Sequence, residues 1–204
     1  GCNYEEALKQ LALVRNKDPK NPRVYKLLGT AYVLFNHDEE ALLELNRAHE
    51  LDRDDPEILF NLGGVYLLKD MYESAADAFE KAIKIDPTDT TSYANLAAAY
   101  GMLKIYDKEI SALKKVLMFE PENKELRAAL SNAYFNSDRF EEAIDAAICV
   151  VEIDEKDTQA YCNLGSCYAA QNMIDEAIKT FNKASELAPD YSLPHTNLGT
   201  LYAN

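Results

Sequence analysis

Tyr93-Ala94-Asn95-Leu96 and Tyr161-Cys162-Asn163-Leu164 share the pattern Tyr-x-Asn-Leu and stand 68 residues apart, twice 34. Rows of 34 residues beginning at Pro22, Pro56, Thr90, Lys124, Thr158 and Ser192 bring most of the remaining chain into register. The seventh column reads Leu28, Leu62, Leu96, Leu130, Leu164, Leu198, and the eleventh Tyr32, Tyr66, Tyr100, Tyr134, Tyr168, Tyr202. The eighth is small throughout: Gly29, Gly63, Ala97, Ser131, Gly165, Gly199. The twentieth is Ala7, Ala41, Ala75, Glu109, Ala143, Ala177, and Pro19, Pro87, Pro121 and Pro189 share the thirty-second. Internal repetition of this length marks an array of small units.

Columns 4, 7, 8 and 11 fall on one face of a helix, and columns 20, 24 and 27 (Ala75, Phe79, Ala82) on one face of a second. Polar turns such as Phe35-Asn36-His37-Asp38 separate the two, and the column-32 Pro ends the second. Small column-8 residues facing the column-20 Ala predict a close backbone approach. One helix pair cannot bury both its apolar faces, whereas a stack can. The expected fold is all-α, a right-handed α-solenoid of antiparallel helix pairs.

These columns resemble the tetratricopeptide repeat over essentially the whole length. Departures are local: Arg53 and Glu155 replace the Pro, Arg127 and His195 the bulky column-4 residue, and Glu109 the small column-20 residue. The reading makes 1–204 a single solenoid. Residues 1–21 supply a second helix, five full repeats follow at 22–55, 56–89, 90–123, 124–157 and 158–191, and 192–204 supply a first helix. This reads as a segment of a longer protein, with Gly1 a cloning remnant. A last helix with Leu198, Leu201 and Tyr202 uncovered suggests self-association.

The 204 residues are 48% apolar and 27% charged, with seven Gly and seven Pro, so the chain is neither disordered nor collagen-like. Thirty-five acids against 21 bases leave a net charge of −14, which argues against a nucleic-acid partner. No apolar run reaches the ~18 residues of a membrane span. Cys2, Cys149, Cys162 and Cys167 lack C-x-x-C spacing, and His37, His49 and His195 are not spaced for a metal or a nucleophile–base pair. No phosphate loop occurs, so no cofactor, metal or enzyme activity is expected. Unpaired thiols favour a reducing, cytoplasmic setting. The alternative is an exported bacterial lipoprotein anchored at Cys2.

The family resemblance implies that the first helix of each pair lines the concave side. Columns 2, 6, 9 and 13 then face the groove. Column 6 holds Asn61, Asn95, Asn163 and Asn197 between Leu27 and Ala129. Asn is a mediocre helix former, but its carboxamide both donates and accepts, which suits an extended backbone. Column 9 is small (Thr30, Gly64, Ala98, Asn132, Ser166, Thr200) and leaves room for a chain, with Asn132 a further amide. The pattern is similar to the asparagine ladder in the solenoid of O-linked N-acetylglucosamine transferases. Asn shared by duplication from one ancestor is the competing explanation.

Phe60 and Met102 are candidate apolar walls of the groove, and Arg23 and Lys26 its basic residues near the amino end. Bases are too few, and in the wrong columns, for the carboxylate clamp of chaperone-binding repeats. The expected role is a non-catalytic interaction scaffold or adaptor, holding an extended or helical peptide of a protein partner in the groove. The alternative is the substrate-recruiting arm of a larger enzyme such as a glycosyltransferase.

Overall fold

The structure, a computed structural model, describes residues 2–203 and the side chains from Tyr4 onward. The expectations placed on Gly1, on the Cys2 thiol and on Asn204 lie outside the described residues. The chain divides into two compact units, one up to Lys104 and one from Ile105 onward. The first unit contains α1 (Cys2–Lys17), α2 (Pro22–Leu34), α3 (Asp38–Leu51), α4 (Pro56–Leu68), α5 (Tyr72–Ile85) and α6 (Thr90–Met102). The second contains α7 (Tyr106–Leu117), α8 (Lys124–Asn136), α9 (Phe140–Ile153), α10 (Thr158–Ala170), α11 (Ile174–Leu187) and α12 (Ser192–Ala203). Each helix packs on its sequence neighbour within its unit, so the fold is an α-solenoid of helix pairs.

Local chemistry sets each boundary. Every first helix from α2 to α10 starts behind an Asn or Asp: Asn21, Asp55, Asp89, Asn123 or Asp157. Each side chain accepts a hydrogen bond from an N–H of the first turn, for example Ile58 N at 3.2 Å from Asp55 Oδ1. Pro22 and Pro56 follow directly, where a missing N–H costs nothing. Each first helix then ends in a residue with positive φ at column 15: Asn36, Asp70, Lys104, Asp138 and Asn172, all between 56° and 62°. The next N–H returns to the column-11 Tyr carbonyl, as in His37 N to Tyr32 O (3.0 Å) and Met71 N to Tyr66 O (2.8 Å). This Schellman geometry explains why four of the five are Asn or Asp, which tolerate the left-handed conformation.

Glycines of column 8 are where the paired helices come closest, and the structure refines what they face. Gly29 lies near the Ala41 carbonyl, as expected, but a Cβ on it would sit 2.5 Å from Leu45 Cγ. On Gly63 it would sit 2.6 Å from the Phe79 ring, and on Gly165 2.7 Å from the Phe181 ring. The glycine therefore makes room for the large column-24 side chain, and Leu45, Phe79 and Phe181 are fully buried. In the 124–157 row both members are small, Ser131 with Ala147, and Ser131 Oγ donates to the Ala143 carbonyl (2.9 Å).

Column 4 is amphipathic and not merely bulky. The Tyr25 hydroxyl donates to the Pro19 carbonyl (3.0 Å), Arg127 Nε donates to the Pro121 carbonyl (2.6 Å), and His195 Nε2 lies 3.0 Å from the Pro189 carbonyl. Arg127 and His195 thus repeat the tyrosine's hydrogen bond to the preceding turn. Leu198, expected to lie uncovered, is buried against Ala177 and Phe181, whereas Tyr202 is exposed.

Glu109, the carboxylate in an alanine column, is half-buried in the first turn of α7. A helix amino end favours a negative charge. Burial outweighs that here and raises the carboxyl above its usual range. The folded state therefore favours the protonated form: stability from this group is present below the unfolded value of about 4.3 and is lost as pH rises through the folded one. Glu109→Gln is expected to raise Tm at pH 7, with the difference closing near about pH 4 in parallel melts. A second pair of variants tests the packing. Gly63→Ala collides with Phe79 and should destabilise by about 1–3 kcal/mol in urea unfolding. Gly64→Ala, with nothing within 4 Å of the added methyl, should stabilise by about 1 kcal/mol through helix propensity.

Candidate functional site

In the first unit α2, α4 and α6 lie side by side, and columns 2, 6, 9 and 13 form their accessible face. Arg23, Glu57 and Thr91 along one margin and Leu34, Leu68 and Met102 along the other are exposed, Met102 at 58%. Between the margins Asn61 and Asn95 are half-buried, beside Thr30 and Gly64. Asn61 Nδ2 donates to Thr30 Oγ1 of the preceding repeat (3.2 Å), and that hydroxyl donates to the Lys26 carbonyl (2.9 Å). The Asn61 carbonyl oxygen is left as an acceptor. Asn95 has no side-chain hydrogen bond among the described residues, so its whole carboxamide is uncommitted.

Lys26 is not a free cation. It pairs with Asp55 (2.9 Å) and Glu57 (2.5 Å) and so ties α2 to the amino end of α4. Burial works against its charge, but the hydrogen bonds to Glu57 and Asp55 outweigh burial and raise its pKa. Burial likewise pushes Asp55 up, and Lys26 with the N–H groups of Ile58 and Glu57 more than reverse it. A lowered carboxyl contributes stability above the unfolded value of about 3.9, fading as pH falls through the folded one. Arg23 is exposed, with no ion pair among the described residues. Phe60 is half-buried and packs edge-on against Phe79 at 5.9 Å, so it is partly wall and partly core.

In the second unit α10 and α12 carry Asn163 and Asn197, both half-buried, and α8 carries Asn132, which is exposed. The Tyr191 hydroxyl donates to Gln159 Oε1 (2.6 Å), and Gln159 Nε2 donates to Asn163 Oδ1 (2.9 Å). This relay occupies the Asn163 oxygen and leaves its Nδ2 as a donor. Asn61 thus keeps its oxygen free and Asn163 its amino group.

Beside Asn163 lies a cavity of about 190 Å³, absent from the sequence reading. Its apolar walls are Ala128 of α8, Ala147 and Val150 of α9, and Ala160 of α10. Lys124, Glu125, Ser131, Asp157, Gln159 and Asn163 complete its lining. Lys124 Nζ is held between Asp154 (2.9 Å) and Asp157 (3.0 Å). The signal for the cavity was present in two columns read together. Ala128 and Ala147 occupy the positions of Phe60 and Phe79 in the 56–89 row, and Ser131 adds little volume where Gly63 stands.

Other chemistry is sparse. Cys162 and Cys167 are buried and Cys149 half-buried, all free, and burial pushes the Cys162 and Cys167 thiols up. Among the described residues no group of His, Cys, Asp and Glu is arranged to hold a metal, and no helix is long and apolar enough to cross a membrane.

Three family models described as tetratricopeptide repeat match the chain, one at 56–89 and 158–191, one at 2–59 and one at 78–110. No curated protein sequence matches it. Among solved structures it is similar to YrrB, described as a TPR protein with an unusual peptide-binding site, at a TM-score of 0.83 and 23% identity over 91% of this chain and 96% of that one. It is also similar to MamA, at a TM-score of 0.76 and 23% identity over 81% and 91%. MamA from Desulfovibrio magneticus RS-1 aligns at 0.73 and 23% identity, over 81% of this chain and 94% of that one. At these identities the likeness establishes the fold. The columns, the helix pairs and the family models agree: this chain is built from tetratricopeptide repeats.

Proposed function

We propose that the chain is a non-catalytic interaction scaffold that holds an extended segment of a partner protein along the first helices of each unit. One observation carries this reading. On the accessible face of the first helices in each unit, half-buried carboxamides retain unused hydrogen-bonding groups: the Asn95 amide and the Asn61 oxygen in the first unit, the Asn163 Nδ2 in the second. A half-buried amide gains from a partner more than an exposed one, because its own hydration is already incomplete. An extended peptide presents N–H and C=O groups in alternation and can satisfy donors and acceptors alike. The peptide-binding site ascribed to YrrB supports the reading by likeness of fold.

Shared ancestry would place Asn in column 6 without explaining Gln159 and Tyr191, which are not repeated and yet fix the Asn163 amide. Arg23 and Met102 would supply side-chain selectivity at the margins and Asn132 between them, all three being exposed. Phe60 would contribute its open side, while Lys26 acts through the brace it forms with Asp55 and Glu57.

The test is selection of random peptides on the full chain, followed by affinity measurement in two double variants. Asn61→Ala with Asn95→Ala addresses the first unit, and Asn163→Ala with Asn197→Ala the second. At about 1 kcal/mol per hydrogen bond, the affected variant should bind about 10- to 30-fold more weakly with a nearly unchanged Tm. Selected peptides that bind both variants as tightly as the parent chain would remove the amides from the site.

A further inference from the structure

We infer that the cavity between α8, α9 and α10 is an anchor pocket for one apolar side chain of the bound peptide, followed or preceded closely by a lysine or arginine. The inference rests on the scaffold reading and specifies what its second unit selects. Three observations converge on it.

The first is the origin of the cavity. Elsewhere in the array a small column-8 residue meets a large column-24 side chain, Gly63 with Phe79 and Gly165 with Phe181. Here Ser131 meets Ala147, and Ala128 stands where Phe60 packs on Phe79 in the 56–89 row. Compared with the 56–89 row, two aromatic rings are absent here, and about 190 Å³ stays open. A cavity of about 150 Å³ already holds a benzene-sized group. A leucine, isoleucine, methionine or phenylalanine side chain fits.

The second is the chemistry of the walls. Ala128, Ala147, Val150 and Ala160 are apolar, and the Ser131 hydroxyl is spent on the Ala143 carbonyl. Ala128, Ala147, Val150 and Ala160 give a water no polar side-chain partner, so this part of the cavity is poorly suited to hold one. An apolar side chain is the occupant that gains by entering.

The third is the mouth. Lys124 is neutralised by Asp154 and Asp157, and both polar atoms of the Gln159 amide are engaged. Two groups remain for a ligand: the Asn163 Nδ2 donor and the exposed Glu125 carboxylate, which has no ion pair among the described residues. With one lysine against three carboxylates, the mouth is net negative. A peptide whose backbone carbonyl meets Asn163, whose apolar side chain enters the cavity and whose neighbouring lysine or arginine meets Glu125 uses the donor, the cavity and the carboxylate together. Aromatic or aliphatic anchors in such pockets carry most of the energy of a peptide interface.

The experiment is selection from a random dodecapeptide library on the full chain, with Ala147→Leu, Ala128→Leu and Glu125→Gln in parallel and circular dichroism confirming their helicity. The parent chain should enrich peptides carrying one large apolar residue beside lysine or arginine. Ala147→Leu should bind their synthetic copies about tenfold more weakly, and changing the peptide's apolar residue to alanine should then make no further difference. Glu125→Gln should lose the salt-sensitive part of the affinity. Ala128→Leu blocks the cavity from the other helix, so the test survives if Ala147→Leu does not fold. The same enriched sequence and undiminished affinity in the filled variants, with the Asn163→Ala, Asn197→Ala variant still weakened, would overturn the pocket and leave the scaffold reading standing. Failure to select any peptide weakened by either asparagine double variant would overturn both.

Discussion

The packing of a small residue on each first helix against a large one on the second sets everything else. Gly29 with Leu45, Gly63 with Phe79 and Gly165 with Phe181 fix how near the paired helices lie. Protein interiors are close-packed, so that spacing is rigid and the side chains above it inherit fixed positions. The accessible faces of the first helices, with their amides, are positioned by these contacts on the far side. Where the pair becomes Ser131 with Ala147, the constraint is met only in part. A serine hydroxyl ties back to the Ala143 carbonyl, and the unfilled volume stays open toward the amide face. A sealed void of this size would carry a penalty of several kcal/mol. Opening it to the surface lowers that penalty and turns a packing defect into a recess.

The fold was legible because its evidence is additive. Each Leu in column 7 and each Tyr in column 11 repeats one instruction, and no single departure can cancel six copies. The departures were harder to read. Arg127 and His195 look wrong in a bulky column until Tyr25 shows that the column's polar tip meets a proline carbonyl of the preceding turn. The left-handed turn was half visible, through Asn36, Asp70, Asp138 and Asn172. Lys104 adopts the same conformation with no side chain that favours it.

The site was less legible than the fold, for a physical reason. Which residues lie on the accessible face of the first helices follows from helical geometry, and Asn61, Asn95, Asn163 and Asn197 emerge half-buried. What each amide can still do depends on neighbours that periodicity does not encode. Thr30 takes the Asn61 donor, Gln159 takes the Asn163 acceptor, and Lys26 disappears into a pair of carboxylates. The recess by Ala147 is legible only when columns are read together, for a related reason. Each of its small residues is unremarkable alone, and the space exists only because three helices omit bulk at one point.

The Schellman turn between paired helices behaves as a counting device. Its two returning hydrogen bonds and single left-handed residue admit one length, from the Tyr32 carbonyl to the His37 N–H and its equivalents. Deleting one residue there would swing the next helix by about 100° and turn its alanine face away from the glycine opposite. Such an array can therefore be lengthened, shortened or recombined only in whole modules, with seams at the Asx-capped starts of the first helices. Within a module the spacing is invariant, while the groups displayed on its accessible face are free to change.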